Sequence, residues 1–284
     1  MNTVGVIGGS GLYDMAGLTV SERVRLVTPF GEPSDEFVCG TLGETRLLFL
    51  PRHGRGHRLL PSEVNYRANI YGLKQLGAEW IISVASVGSL REHIRPGHLV
   101  IPDQLIDRTY RRPSTFFGNG IVAHVAFADP FCEVLRTSLR EAGGELGITM
   151  HARGTYVCME GPQFSTRAES LLHRQWGADL IGMTNVQEAK LAREAEICFA
   201  TLALATDYDC WHTAEADVVI AEVLRVLTEN VAKAQRVIAA AVPRLRAPRS
   251  CACASALKHA IITDRERIPE DIKRDLRLLI EKYV

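Results

Sequence analysis

The chain has 284 residues, 46% of them apolar, with 33 basic and 33 acidic side chains and a formal net charge of zero. That length and composition suit a globular protein with a substantial core. The balanced charge lacks the basic stripe that grips a phosphate backbone, so no nucleic-acid partner is expected, and no apolar run reaches the roughly 18–20 residues that span a bilayer. The chain runs straight into "VGVIGGSG" without a basic leader, and the expectation is a cytoplasmic protein with no membrane partner. Its seven cysteines are odd in number and scattered, unlike a secreted disulfide framework.

In chain order, "TVGVIGG" reads as a short buried strand ending in glycines. "EFVCGTLGETRLLFLPRHG" reads as a hairpin turning near Gly43. "PSEVNYRANIYGLKQLGA" has helical spacing at Tyr66, Ile70, Leu73 and Leu76, with Ser62 offered as the N-cap. "EWIISVAS" and "GHLVIPDQLID" read as strands, and "DPFCEVLRTSLREAGGELG" as a helix. Then strands "GTYVCMEG", "DLIGM" and "ICFATLALATD" alternate with helices "TRAESLLHRQWGA" and "VQEAKLAREAE". A long helix is expected over 214–242, and "IPEDIKRDLRLLIEKY" closes the chain as a helix with proline in its first turn. Alternation of this kind predicts an α/β fold: one domain over 1–284, a central mixed sheet flanked by helices, and a helical tail from about 255. In such sheets ligands bind beyond the strand ends, where Ser10, Arg52 with His53, Ser86, Thr184 and Asp207 fall.

Each of these stretches has a plain structural reading beside its chemical one. "GGSG" is a tight turn, or a loop whose N–H groups and Ser10 hydroxyl meet an anion; it is neither a P-loop nor a complete dinucleotide fingerprint. "LPRHGRGH" is a solvated basic turn, or a guanidinium fork for phosphate at the end of a strand. In "MEGPQFSTRAE", Thr166 with Glu169 fits a capping box, which leaves Phe164 free to stack a flat base. In "IGMTNVQEAKLAREAE", Thr184 with Gln187 also fits a capping box, and a helix N-terminus is equally an anion site. Asp207 and Asp209 end an apolar strand, where burying a carboxylate is costly unless it finds a partner. "CAC" (Cys251, Cys253) is the only close cysteine pair. With no second pair at ligand spacing no metal is expected, and the pair reads as loop residues or as a disulfide.

The segments "VIGGSGLYD", "PRHGRGH", "VNYRANIYGLKQLGA", "GSLRE", "QLIDRT", "MEGPQFSTRAES", "IGMTNVQEAKLAREAEIC" and "ATDYDCW" occur in this order. Together, over about residues 4–245, the chain resembles the 5′-methylthioadenosine phosphorylases of the trimeric purine nucleoside phosphorylase superfamily. The resemblance implies phosphorolysis of methylthioadenosine to adenine and 5-methylthioribose 1-phosphate, with inorganic phosphate as co-substrate and no cofactor. It implies a phosphate site at Ser10, Arg52, His53, Ala85, Ser86 and Thr184. Met183 would pack on the ribose, Phe164 and Ser165 would line the base pocket, and Asp207 and Asp209 would read the purine. Asp207 would be the general acid at N7, while the carboxylates accept from a 6-amino group and repel a 6-oxo group. Ile220 would shape an apolar slot for the 5′-thioether. His124 would enter from a neighbouring subunit, implying a homo-oligomer, a trimer or dimer of trimers. Ala85 stands where some relatives carry threonine, and Gln187 replaces a common proline. The "CAC" tail is similar to that of thermophilic relatives with disulfides and hexamers. Two other readings stay open: a purine nucleoside phosphorylase acting on adenosine or inosine, and a non-catalytic nucleoside-binding protein.

Overall fold

The computed structural model describes residues 2–212, 220–246 and 248–284; for Ser10 and residues 220–223 it describes the backbone alone. The first strands are β1 (Thr3–Gly8), β2 (Thr19–Val24), β3 (Phe37–Leu42) and β4 (Thr45–Pro51). Helix α1 (Tyr66–Gln75) leads to the long β5 (Trp80–Ser89), followed by β6 (Leu99–Val100), β7 (Gln104–Arg108), α2 (Glu133–Glu145), β8 (Met150–His151) and β9 (Thr155–Met159). The second half continues with α3 (Arg167–Gln175), β10 (Leu180–Gly182), α4 (Val186–Glu194), β11 (Cys198–Asp207), α5 (Ile220–Ala241) and α6 (Glu270–Ile280). Among the described residues, no helix is long and apolar enough to cross a membrane.

The strands form one mixed sheet, as expected. Its main path runs β2-β3-β4-β1-β5-β10-β9-β7, and β11 pairs parallel with β5 and antiparallel with β6. The apolar runs that predicted β1, β5 and β11 lack polar alternation because both faces of these strands are covered. Val4, Val6, Trp80, Ile82, Ala200 and Leu202 face a core shared with α2 and α5. Ile7, Ile81 and Phe199 face a second core with α1, α4 and α6. The hairpin turns at Gly43, whose φ of 57° lies in the left-handed region that glycine enters without strain.

Several local expectations are corrected. The N-cap of α1 is Asn65, whose side chain accepts from the Ala68 N–H at 3.1 Å, and not Ser62. "GHLVIPDQLID" makes two strands, because the segment around Pro102 passes from pairing with β8 to pairing with β9. Strand β2 carries no apolar pattern, since it is an exposed sheet edge. The expected helix over 214–242 is described only from Ile220, and residues 213–219 lie outside the described residues. The expectation of no metal rested on the lack of a second pair at ligand spacing, but the fold brings two distant cysteines to this pair. Cys132 and Cys198 join them, and the four sulfurs lie within 4.8 Å of one another.

Candidate active site

The carboxyl ends of β1, β4, β5, β10 and β11 open into one cleft of about 460 Å³. Arg52, His53, Ala85, Ser86, Phe164, Ser165, Met183, Thr184, Asp207 and Asp209 all line it. Ten candidates from five separate stretches of sequence therefore converge on one volume. The side chains of Ser10 and Ile220 lie outside the described residues, although their neighbours Gly9, Leu227 and Val231 line the cleft. His124 is exposed and does not line the cleft of its own chain.

One end of the cleft is polar and suited to an anion. Arg52 is buried behind it, and the expectation that its guanidinium fork lies open for phosphate is corrected. Nε and Nη2 close on Glu188 at 2.5 and 3.1 Å, while the other donors reach Val84 O at 2.9 Å and Ser83 Oγ at 2.8 Å. Among the described residues, only one N–H, on Nη1, stays uncommitted. His53 presents Nδ1 to the Leu59 carbonyl at 2.8 Å and stacks on His57 at 4.3 Å between ring centroids. Burial, helped by the neighbouring Arg52 charge, pulls its pKa down to about 4. His53 is therefore neutral near pH 7, with Nδ1–H donating and Nε2 left as an acceptor. Ser86 is exposed to the cleft between buried neighbours, where the pleat of β5 turns it outward.

Thr184 does not cap α4. The N-cap is Asn185, at φ 157°, and it makes no side-chain cap; its Nδ2 instead donates to Thr201 Oγ1 at 2.7 Å. Gln187 turns inward to Thr109 and Arg112 rather than back to Thr184. The α4 N-terminus is thus without a side-chain cap beside Thr184, which suits an anion in the cleft.

The other end of the cleft reads a flat polar ligand. A β-bulge between Ala205 and Asp207 puts Asp207 opposite Gly88, and bulges of this kind re-aim side chains. Asp207 Oδ2 accepts from Thr206 Oγ1 and Oδ1 from the Asp209 N–H, both at 2.8 Å. Asp209 is buried in the left-handed conformation at φ 53°, and its Oδ2 has no hydrogen-bond partner among the described residues. A buried acceptor without a donor costs roughly 1–3 kcal/mol, so it marks a position awaiting one. Phe164 stands 55% exposed at the rim, and Thr166 and Glu169 behind it form the predicted capping box that starts α3.

Sequence reasoning missed Arg112, which does not line the cleft but fixes its wall. This buried guanidinium holds the Glu160 carboxylate at 3.1 Å, the Glu160 carbonyl, the Met183 carbonyl at 2.5 Å and the Tyr66 hydroxyl at 3.2 Å. It thus ties the loop after β9 to the end of β10. The apolar wall of Leu12, Leu204, Leu227 and Val231 was also missed, because its residues lie far apart in sequence.

The family model of the phosphorylase superfamily matches residues 3–243. An S-methyl-5′-thioadenosine phosphorylase of Geobacter sulfurreducens is 60% identical over 99% of both chains. The chain belongs to this phosphorylase family. A methylthioadenosine phosphorylase from an antarctic soil metagenome superposes with a TM-score of 0.94 at 51% identity, over 98% of this chain and 99% of the other. An adenine complex of the Schistosoma mansoni enzyme superposes at 0.84 with 35% identity, over 99% and 98%. A mutant of that protein is described as an adenosine/methylthioadenosine phosphorylase. The mixed sheet and its flanking helices are the nucleoside phosphorylase fold.

Proposed function

We propose that this cleft carries out phosphorolysis of S-methyl-5′-thioadenosine, a pentosyl transfer to inorganic phosphate. The observation that carries the reading is the buried, partnerless Asp209 Oδ2 beside the anchored Asp207 carboxyl. The Asp209 carboxylate and the unprotonated oxygen of the Asp207 carboxyl accept from the 6-amino group of adenine and oppose a 6-oxo group. Phe164 stacks on the base, Ser165 lines its pocket, and Met183 packs on the ribose. The apolar wall at Leu227 and Val231 suits a thioether better than a hydroxyl, which would lose its hydrogen bonds there.

In the reaction a phosphate oxygen bonds C1′ as the C1′–N9 bond breaks, through an oxocarbenium-like state. The electron pair goes to the purine, and a proton reaches N7 from Asp207. Hydrogen phosphate releases its proton to solvent on forming the ester and Asp207 regains one from solvent, so the proton gained by adenine is balanced and the acid is restored. His53 Nε2, as an acceptor, fits the phosphate O–H, while Ser86, Thr184, Ser10, the backbone at Ala85 and the one uncommitted N–H of Arg52 fit its oxygens. The step balances with phosphate as co-substrate and calls on no cofactor. The protein works as a cytoplasmic homo-oligomer, a trimer or dimer of trimers. His124, exposed and away from its own cleft, enters a neighbour's, and Ile220 shapes the 5′ slot.

The test is release of free base from methylthioadenosine, adenosine, inosine and methylthioinosine, with and without phosphate. The reading expects phosphate-dependent adenine release, fastest from methylthioadenosine. Equal rates on adenosine would select the broader adenosine-cleaving reading. Absence of turnover would mean a nucleoside-binding protein.

A further inference from the structure

The fold brings together four cysteines that lie outside the cleft. Cys132 is the N-cap of α2, Cys198 opens β11, and Cys251 and Cys253 are the N-cap and an inner residue of one short turn, Ala252–Ser255, in the C-terminal segment. All four are free thiols whose sulfurs lie within 4.8 Å of one another, and Cys198 Sγ stands 3.2 Å from Cys251 Sγ. Tetrahedral zinc holds thiolates at about 2.3 Å, which sets the sulfurs about 3.8 Å apart. The cluster is thus close to the size of a four-thiolate zinc site. Cys132 and Cys198 are fully buried, while Cys251 and Cys253 are half-buried and close the cluster from the tail side.

A second observation concerns charge. Four thiolates around one zinc ion leave a net charge of minus two. Arg249 approaches on this side, its Nη1 3.8 Å from Cys198 Sγ and held by the carbonyls of Glu196 at 2.8 Å and Glu79 at 3.2 Å. Cys132 meanwhile sits at the N-terminus of α2, where the helix dipole favours negative charge. Both features suit a thiolate cluster better than four neutral thiols.

We propose that Cys132, Cys198, Cys251 and Cys253 bind one zinc ion in a closed structural site. All four positions are protein ligands, so no coordination site is left for a substrate. The ion staples the C-terminal segment to the start of β11 and to α2. Its binding is independent of the chemistry proposed for the cleft.

The test uses the full chain, produced in zinc-supplemented medium and purified without an immobilised-metal step. Elemental analysis should find about one zinc per chain. After acid denaturation, the intact mass should equal that of the fully reduced polypeptide. Cobalt added to chelator-treated protein should give the visible absorption of a tetrahedral thiolate complex, saturating at one equivalent. Losing an outer partner of a metal site costs about 10–100-fold in affinity, so Cys253→Ser, which removes a ligand, should weaken cobalt binding by roughly 100-fold or more. The wild-type cobalt spectrum reads the site independently of whether that variant folds. Protein that carries no metal and develops no cobalt absorption overturns the proposal. So does a denatured mass lower by one or two pairs of hydrogens, which would mean that these cysteines are joined as disulfides.

Discussion

The Asp207 carboxyl receives the backbone N–H of Asp209 at 2.8 Å, so one of the two acids at the purine end is aimed by the backbone of the other. Both sit against Gly88 of β5. A Cβ added at Gly88 would stand 3.0 Å from Asp207 Oδ1, 3.1 Å from Ile181 Cγ2 and 3.3 Å from Asp209 Cβ. Gly88→Ala should push Asp207 from its place. A shift of about 1 Å at reacting groups can cost about 10²-fold. The expected outcome is a loss of that order in kcat/KM, with destabilisation within about 1–3 kcal/mol. Steady-state kinetics alongside denaturant unfolding check both.

Arg112 and Glu160 form a buried ion pair whose guanidinium also holds three carbonyls at the wall of the cleft. Arg112→Met leaves the Glu160 carboxylate without its cation and frees the three carbonyls. Breaking such a pair from one side costs about 3–5 kcal/mol. Urea denaturation should show a loss of that size. A change within about 1 kcal/mol would mean that water replaces the guanidinium at little cost.

These pairs also show which parts of the site were legible. The strand ends could be read because continuous apolar runs mark strands buried on both faces, and ligand residues follow such runs. Arg52 could be placed at the cleft, but its engagement with Glu188 could not, since the partner lies 136 residues away and on another element. The cap of α1 was ambiguous because Ser62 and Asn65 are both capping residues. Asn65 prevails because its amide also holds the Phe30 carbonyl at 2.7 Å. Gln187 looked like half of a capping box, but the buried Arg112 draws it inward. Four cysteines from three distant segments leave no ligand spacing to read.

His53 gives a pH dependence of stability. Its folded pKa, about 4, lies below the ordinary 6.5. The folded form therefore binds fewer protons than the unfolded chain between those values, and the contribution to stability is complete above pH 6.5 and declines as pH falls towards 4. With His53 only partly buried, the expected decline is about 1–2 kcal/mol, discounted for solvent. Denaturation at pH 7 and pH 4.5 should show a smaller difference in His53→Asn than in the wild type.

Phe164 stands at the rim of the cleft and is largely exposed, so it contributes little to the core. Base–aromatic stacking contributes about 1–3 kcal/mol. Phe164→Ala should raise the nucleoside KM roughly 10- to 100-fold. Its thermal midpoint should stay near that of the wild type, and the phosphate KM should change little. Parallel titration of the two substrates separates these effects.

The most direct measurement compares kcat/KM for methylthioadenosine and methylthioinosine, which differ at the purine 6-position, in the wild type and in Asp207→Asn. Sites built on matched polar groups discriminate by about 10⁴–10⁵ in favourable cases. The account predicts a wild-type preference of roughly 10³ or more for the 6-amino substrate, which falls steeply when asparagine offers the 6-oxo group a donor. A wild-type ratio near one, or a ratio unchanged in the variant, would contradict the reading of Asp207 and Asp209 as the groups that recognise adenine.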